Sequence, residues 1–184
     1  MIIGVTGTDG AGKGTVVEYL VKHHGFKLYH GRTLILEEIK KQGLPTDRAH
    51  MRLVGNDLRK RYGNDFIVRV SLDRARESGD ERVVIDSLRA VAEAETLKNN
   101  GGILLAIDAD QVLRFERVQG RRSESDQVTF EQFIEHEDLE ANDPDPHGMQ
   151  KRQVMAMADH TIYNDNDTEA LYREVEVFLK QNEA

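Results

Sequence analysis

The chain contains no cysteine, so neither disulfides nor thiolate chemistry are open to its 184 residues. It also has no apolar run long enough to span a bilayer, which excludes a membrane-spanning helix. The N-terminus lacks a basic leader with a long apolar core and reads as a strand, so a cytoplasmic location is expected. Cations are in deficit: 25 Lys and Arg against 33 Asp and Glu leave a net charge of −8. Such a field repels nucleic acid and disfavours a DNA- or RNA-binding role. Internal repeats and low-complexity tracts are missing. The seven histidines show no pair at ligand spacing with a carboxylate partner, so zinc is not indicated. Neither a Ser-His-Asp order nor a carboxylate pair for glycoside chemistry stands out. What is present is a length suited to one domain, residues 1–184, with 32% charged and 39% hydrophobic residues. An acidic protein of this kind must gather its arginines in one cleft if it is to bind anions.

The stretch Gly7-Thr8-Asp9-Gly10-Ala11-Gly12-Lys13-Gly14-Thr15 carries the most information. An apolar run, Ile2 to Val5, precedes it, and Val16 to Leu20 follows. Strand, glycine loop and helix form the context a phosphate-binding loop requires. Glycines let the backbone curl its N–H groups inward around a polyphosphate, and the new helix adds its positive end. Lys13 then reaches the β- and γ-phosphates as a mobile point charge.

Four further segments read as strands: 26–29, 82–86, 103–108 and 161–163. Helical patterns fall at 15–24, 31–43, 47–62, 65–78, 90–100, 110–120, 129–139, 148–158 and 168–181. Thr129 with Gln132 forms a capping box for one of them. The alternation predicts a three-layer α/β fold: a five-stranded parallel sheet with helices on both faces. Ligands in such sheets bind beyond the carboxyl ends of the strands.

At those ends stand several candidates. Asp86 closes the strongest strand and opens Asp86-Ser87-Leu88-Arg89. An aspartate there orients a water on Mg²⁺, and Arg89 reaches an acceptor phosphate; otherwise Asp86 is a helix N-cap and Arg89 is solvated. Arg114, Arg117 and Arg121 are spaced three and four apart and share a helix face that Gly120 interrupts. Residues 30–78 form a mostly helical insertion holding Arg32, Arg48, Arg52, Arg59 and Arg61. Each of these arginines is alternatively a solvated surface charge.

Several of these segments resemble P-loop nucleoside and nucleotide kinases. Gly10-Ala11-Gly12-Lys13-Gly14-Thr15 is similar to the adenylate kinase loop, and Thr8-Asp9-Gly10-Ala11-Gly12-Lys13 to that of thymidylate kinase. Asp86-Ser87-Leu88-Arg89, with Glu93 after it, resembles the Asp-Gly-x-Arg segment of adenylate-kinase-like proteins and, more closely, of an archaeal family of kinase-like P-loop proteins. Gly31-Arg32 and Leu58 to Gly63 resemble acceptor-binding segments of the same family. Ala158 to Asn164 looks like the turn of dephospho-CoA kinase-like proteins whose backbone packs on adenine.

The resemblance implies an ATP-dependent phosphotransferase acting on a nucleoside or deoxynucleoside monophosphate, with Mg²⁺. Asp9 through Thr15, Arg117 and Asn164 would hold ATP. Asp9, Arg32, Arg59 and Arg89 would hold the acceptor, although Asp9 is equally read as a turn-former. Lys13, Asp86, Arg89, Arg117 and Arg121 would act in transfer, residues 114–128 forming a lid. Gly14 stands where the usual pattern has Ser or Thr, so Thr15 and Asp86 would meet the metal through water. Small nucleotides are the expected partners, without nucleic acid or membrane, of a monomer or homodimer. A dephospho-CoA kinase-like enzyme and a nucleotide-binding switch with weak ATPase activity are the alternatives.

Overall fold

The computed structural model describes residues 1–120 and 128–182. The chain opens with β1 (Ile2–Gly7), α1 (Lys13–His24) and β2 (Lys27–His30). Three helices follow: α2 (Gly31–Gln42), α3 (Arg48–Tyr62) and α4 (Phe66–Ser78). Next come β3 (Val83–Asp86), α5 (Val91–Asn99), β4 (Ile103–Asp108) and α6 (Gln111–Gly120). The remainder is α7 (Phe130–Ala141), α8 (Lys151–Ala156), β5 (His160–Tyr163) and α9 (Thr168–Asn182). All five strands and the nine helices among the described residues sit where apolar periodicity places them, with ends shifted by a few residues.

The strands are parallel and ordered β2-β3-β1-β4-β5. Helices cover both faces, and the central strands are therefore continuous apolar runs. On one face Val16, Val17 and Leu20 of α1 and Val175, Phe178 and Leu179 of α9 pack on Ile3, Val5, Leu105 and Ile107. On the other, Val68 and Leu72 of α4 and Ala94 and Leu97 of α5 pack on Val83, Ile85 and Leu104. Ile39, Val54 and Leu58 form a separate small core between α2 and α3. Register sets the level of the site: Val5 lies beside Asp86, Gly7 beside Ile107, and His30 beside Asp86. The carboxyl ends of β1, β2 and β3 thus open onto one place.

The expected lid changes in its first half. Residues 114–120 belong to α6, and Arg114 is buried rather than poised over ligand. Its Nε donates to the Ala109 carbonyl at 2.9 Å, and Nη1 pairs with Glu137 of α7. Residues 121–127, Arg121 included, lie outside the described residues.

Candidate functional site

The phosphate loop is wedged from both sides. A Cβ at Gly10, where φ is 82°, would lie 2.4 Å from the Arg114 carbonyl oxygen. At Gly12, where φ is 101°, it would lie 2.4 Å from Asn164 Nδ2. Only glycine meets both demands, backbone and space. Asn164 Nδ2 donates to the Ala11 carbonyl at 2.8 Å, which ties the loop to the turn after β5. Gly12 caps α1 without a side-chain hydrogen bond, and no acid stands in the first turn. The first amides of α1 and its dipole are therefore available to an anion. Gly14 is exposed in that turn and Thr15 half-buried.

Lys13 folds back across this cradle. Its ammonium donates to the carbonyls of Gly7 at 3.0 Å and Thr8 at 2.6 Å, and lies 3.8 Å from Asp9 Oδ1. Burial pushes its pKa down to about 8; Asp9 opposes this, Lys151 and Arg89 add to it, and Asp86 opposes it. The same interactions mark the cluster: two cations, Lys151 and Arg89, and two carboxylates, Asp9 and Asp86, within electrostatic reach of Lys13.

Asp86 faces that cluster. It does not cap α5, because Ala90 N–H donates to Glu93 Oε2 at 3.0 Å and fills that role. Asp86 Oδ1 is buried and receives no hydrogen bond from the described residues. Asp86 Oδ2 lies 3.3 Å from His30 Nδ1, which donates to the Asp86 carbonyl at 2.8 Å; a carbonyl only accepts, so Nδ1 carries the proton. Arg89 is held by its backbone: its N–H donates to Glu93 Oε2 at 2.7 Å, and its carbonyl accepts from Gln150 N–H at 2.7 Å. Its guanidinium Nη1 touches Met149 Sδ at 3.6 Å.

The insertion's arginines are distributed otherwise than expected. Arg59 is only 2% exposed, and its Nε donates at 3.2 Å to Glu93, itself 0% exposed. It supports the Arg89 turn from below and does not open onto the cleft. Arg52 binds Asp143 through Nε and Nη2 at 2.8 and 3.0 Å, and holds that carboxyl below its usual range. Arg61 pairs with Asp57 and Glu38. Arg32, at the start of α2, is exposed. On the opposite side Arg117 Nη1 donates to the Asn164 carbonyl at 2.8 Å, and a cavity of about 220 Å³ lined by Tyr163, Asn164, Asn166 and Leu171 opens next to it.

Sequence reasoning missed three groups. Lys151, on α8, donates to Asp9 Oδ1 at 3.1 Å and Glu140 Oε2 at 2.7 Å, yet as half of a Lys-Arg pair it reads as surface. Asp108 accepts the Thr8 hydroxyl at 2.6 Å; its place at a strand end was the available signal. Glu93 was visible only as the last letter of the Asp-x-x-Arg-x-x-x-Glu segment. Among the described residues, no group of three His, Asp or Glu forms a metal site, and no helix is long and apolar enough to cross a membrane.

A glycine loop joining the first strand and helix of a five-stranded parallel sheet, with Lys13 in the loop and an aspartate at the end of the adjoining strand, is a P-loop kinase-like α/β fold. Within it the chain belongs to the AAA domain family, whose profile matches residues 3–144. It is 29% identical over 182 residues to a UPF0200 protein of Staphylothermus marinus, covering 98% of this chain and 92% of that one. A UPF0200 protein of Thermococcus gammatolerans is 29% identical over 187 residues, covering 98% and 95%. Among solved structures, shikimate kinase from Bacteroides thetaiotaomicron aligns with a TM-score of 0.60 at 14% identity, over 100% of this chain and 99% of that one. Shikimate kinase from Acinetobacter baumannii, in complex with shikimate, gives 0.58 at 18% identity over 98% and 93%. At these identities the shared property is the fold.

Proposed function

We propose that this chain is an ATP-dependent phosphotransferase whose acceptor is a nucleoside or deoxynucleoside monophosphate. The observation that carries the reading is the convergence of Lys13 and Arg89 with Asp86 at the uncapped start of α1. Lys13 and the loop amides suit the β- and γ-phosphates of ATP, because Arg114 and Asn164 pack against Gly10 and Gly12 and fix the loop's curl at the start of α1. The buried, unbonded Asp86 Oδ1 suits a water on a hydrated Mg²⁺. Magnesium, when bound, supplies charge neutralisation on the phosphates. Arg89 stays charged and offers two parallel donors to phosphate oxygens, and Glu93 keeps its turn in place. Arg117 and Asn164 line the nucleotide side beside the cavity.

With Arg52, Arg59 and Arg61 paired to carboxylates, the acceptor phosphate falls to Arg89 and Arg32. A phosphate acceptor is already a good nucleophile, so no strong general base is required. The test compares each common nucleoside monophosphate with its own nucleoside, using ATP-Mg²⁺ and the whole chain. One monophosphate should be turned over at least ~10²-fold more efficiently than its nucleoside, the loss expected when the site's cations go unpartnered. A nucleoside or dephospho-CoA as the better acceptor would contradict the reading. Slow ATP hydrolysis indifferent to every acceptor would favour a nucleotide switch.

A further inference from the structure

Asp9 presents a problem to a phosphate-binding loop: it puts a carboxylate inside a cradle meant for a polyanion. The structure answers it with two buried cations anchored on one helix. Glu137 and Glu140 are three apart on α7 and share a face. Glu137 pairs with Arg114, whose Nη1 also donates to the Asp9 main-chain carbonyl at 3.2 Å. Glu140 pairs at 2.7 Å with Lys151, whose ammonium also donates to Asp9 Oδ1 at 3.1 Å. Arg114, Glu140 and Lys151 are all buried. Asp9 is thus gripped at its backbone from α6 and at its side chain from α8, 105 and 142 residues away in sequence, with both cations anchored by α7. Burying such ions seldom gains stability over an apolar cluster of the same size, so their position at the phosphate loop points to the ligand.

We infer that Lys151 is a positioning residue of the phosphate loop: it neutralises Asp9 and holds its carboxylate to the α8 side, so that the loop accepts a polyphosphate despite carrying an acid. The inference rests on the nucleotide-binding reading and deepens it. Glu140 holds the ammonium in place through its 2.7 Å hydrogen bond. Lys151 acts through Asp9, and its loss is felt in affinity for ATP before any chemistry.

The test is calorimetric titration of ATP-Mg²⁺ without acceptor into the whole chain and its variants, each checked for cooperative unfolding. Lys151→Met should weaken ATP about tenfold or more, since the carboxylate then repels the phosphates at close range. Lys151→Arg should stay within about threefold of wild type, because the charge is kept. Adding Asp9→Asn to Lys151→Met should recover most of the loss. A merely structural lysine predicts no such recovery. If Lys151→Met does not fold, the triple variant Asp9→Asn, Glu140→Gln, Lys151→Met removes the three charges together and should bind ATP better than the double variant Glu140→Gln, Lys151→Met, which leaves the Asp9 carboxylate without its lysine. A folded Lys151→Met that binds ATP like wild type, or a loss that Asp9→Asn leaves untouched, overturns the inference while the nucleotide reading stands. A wild-type chain that binds no ATP overturns both.

Discussion

Lys13 should give the site a pH dependence of defined sign. Burial lowers its pKa to about 8, against 10.5 for the exposed side chain, so the folded protein gives up this proton at lower pH than the unfolded chain does. Phosphates need the ammonium. Affinity should be full below about pH 8 and fall above it, by about tenfold between pH 7 and pH 9, as the free protein loses that proton. The stability contribution runs the other way: between about 8 and 10.5 the unfolded chain binds more protons, so this group favours folding as pH rises. Titrating ATP-Mg²⁺ at pH 7, 8 and 9 checks the first statement; affinity unchanged to pH 9 would contradict it. Lys13 was legible in the sequence because its spacing to Gly7, Gly10 and Gly12 has one common physical use. Lys151 was not, because its partner Asp9 is 142 positions away and no local pattern links them.

Elements of this chain are joined by ion pairs, some of them buried, in addition to apolar packing. Arg59 of α3 meets Glu93 of α5, and Arg52 of α3 meets Asp143 in the loop before α8. Glu93 also holds the Arg89 and Ala90 amides, so one carboxylate couples the insertion to the turn that presents Arg89. Arg59→Met should strand that buried charge and destabilise the fold by about 3–5 kcal/mol. Adding Glu93→Gln should return part of the loss. Urea unfolding midpoints of the three proteins decide this, and an unshifted Arg59→Met would show that Glu93 does not depend on it. Helix positions followed from periodicity, and Thr129 and Gln132 do form their capping box, at 2.9 and 3.3 Å. Two boundaries moved for local reasons. Gly12 allows α1 to begin at Lys13, and α8 is cut to Lys151–Ala156 because Met149 and Gln150 bond Asp143 and Arg89 instead.

On the scale of the whole molecule, a chain of net charge −8 that binds a polyanion has to bring cations together at the site. Many arginines of the insertion and of α4 are matched to carboxylates nearby, including Arg52, Arg59, Arg61, Arg69, Arg74 and Arg76. Lys13 and Lys151 also have carboxylate partners, but with Arg89 they are gathered around the phosphate loop. The fold was legible because strand–helix alternation admits few architectures. The glycine loop was legible for the same reason, since it follows the first strand. The insertion's arginines were less so: an arginine on a helix reads alike whether it faces solvent, a ligand or a buried glutamate, and Arg59 meets the glutamate. The measurement that bears most directly on the account is phosphoryl transfer from ATP-Mg²⁺ to a nucleoside monophosphate by wild type and by Lys13→Ala, with matching unfolding curves for the two proteins. Lys13→Ala should lower the rate by about 10²-fold or more, because its contact strengthens as charge moves in transfer. A folded Lys13→Ala protein with near-normal transfer would contradict the account.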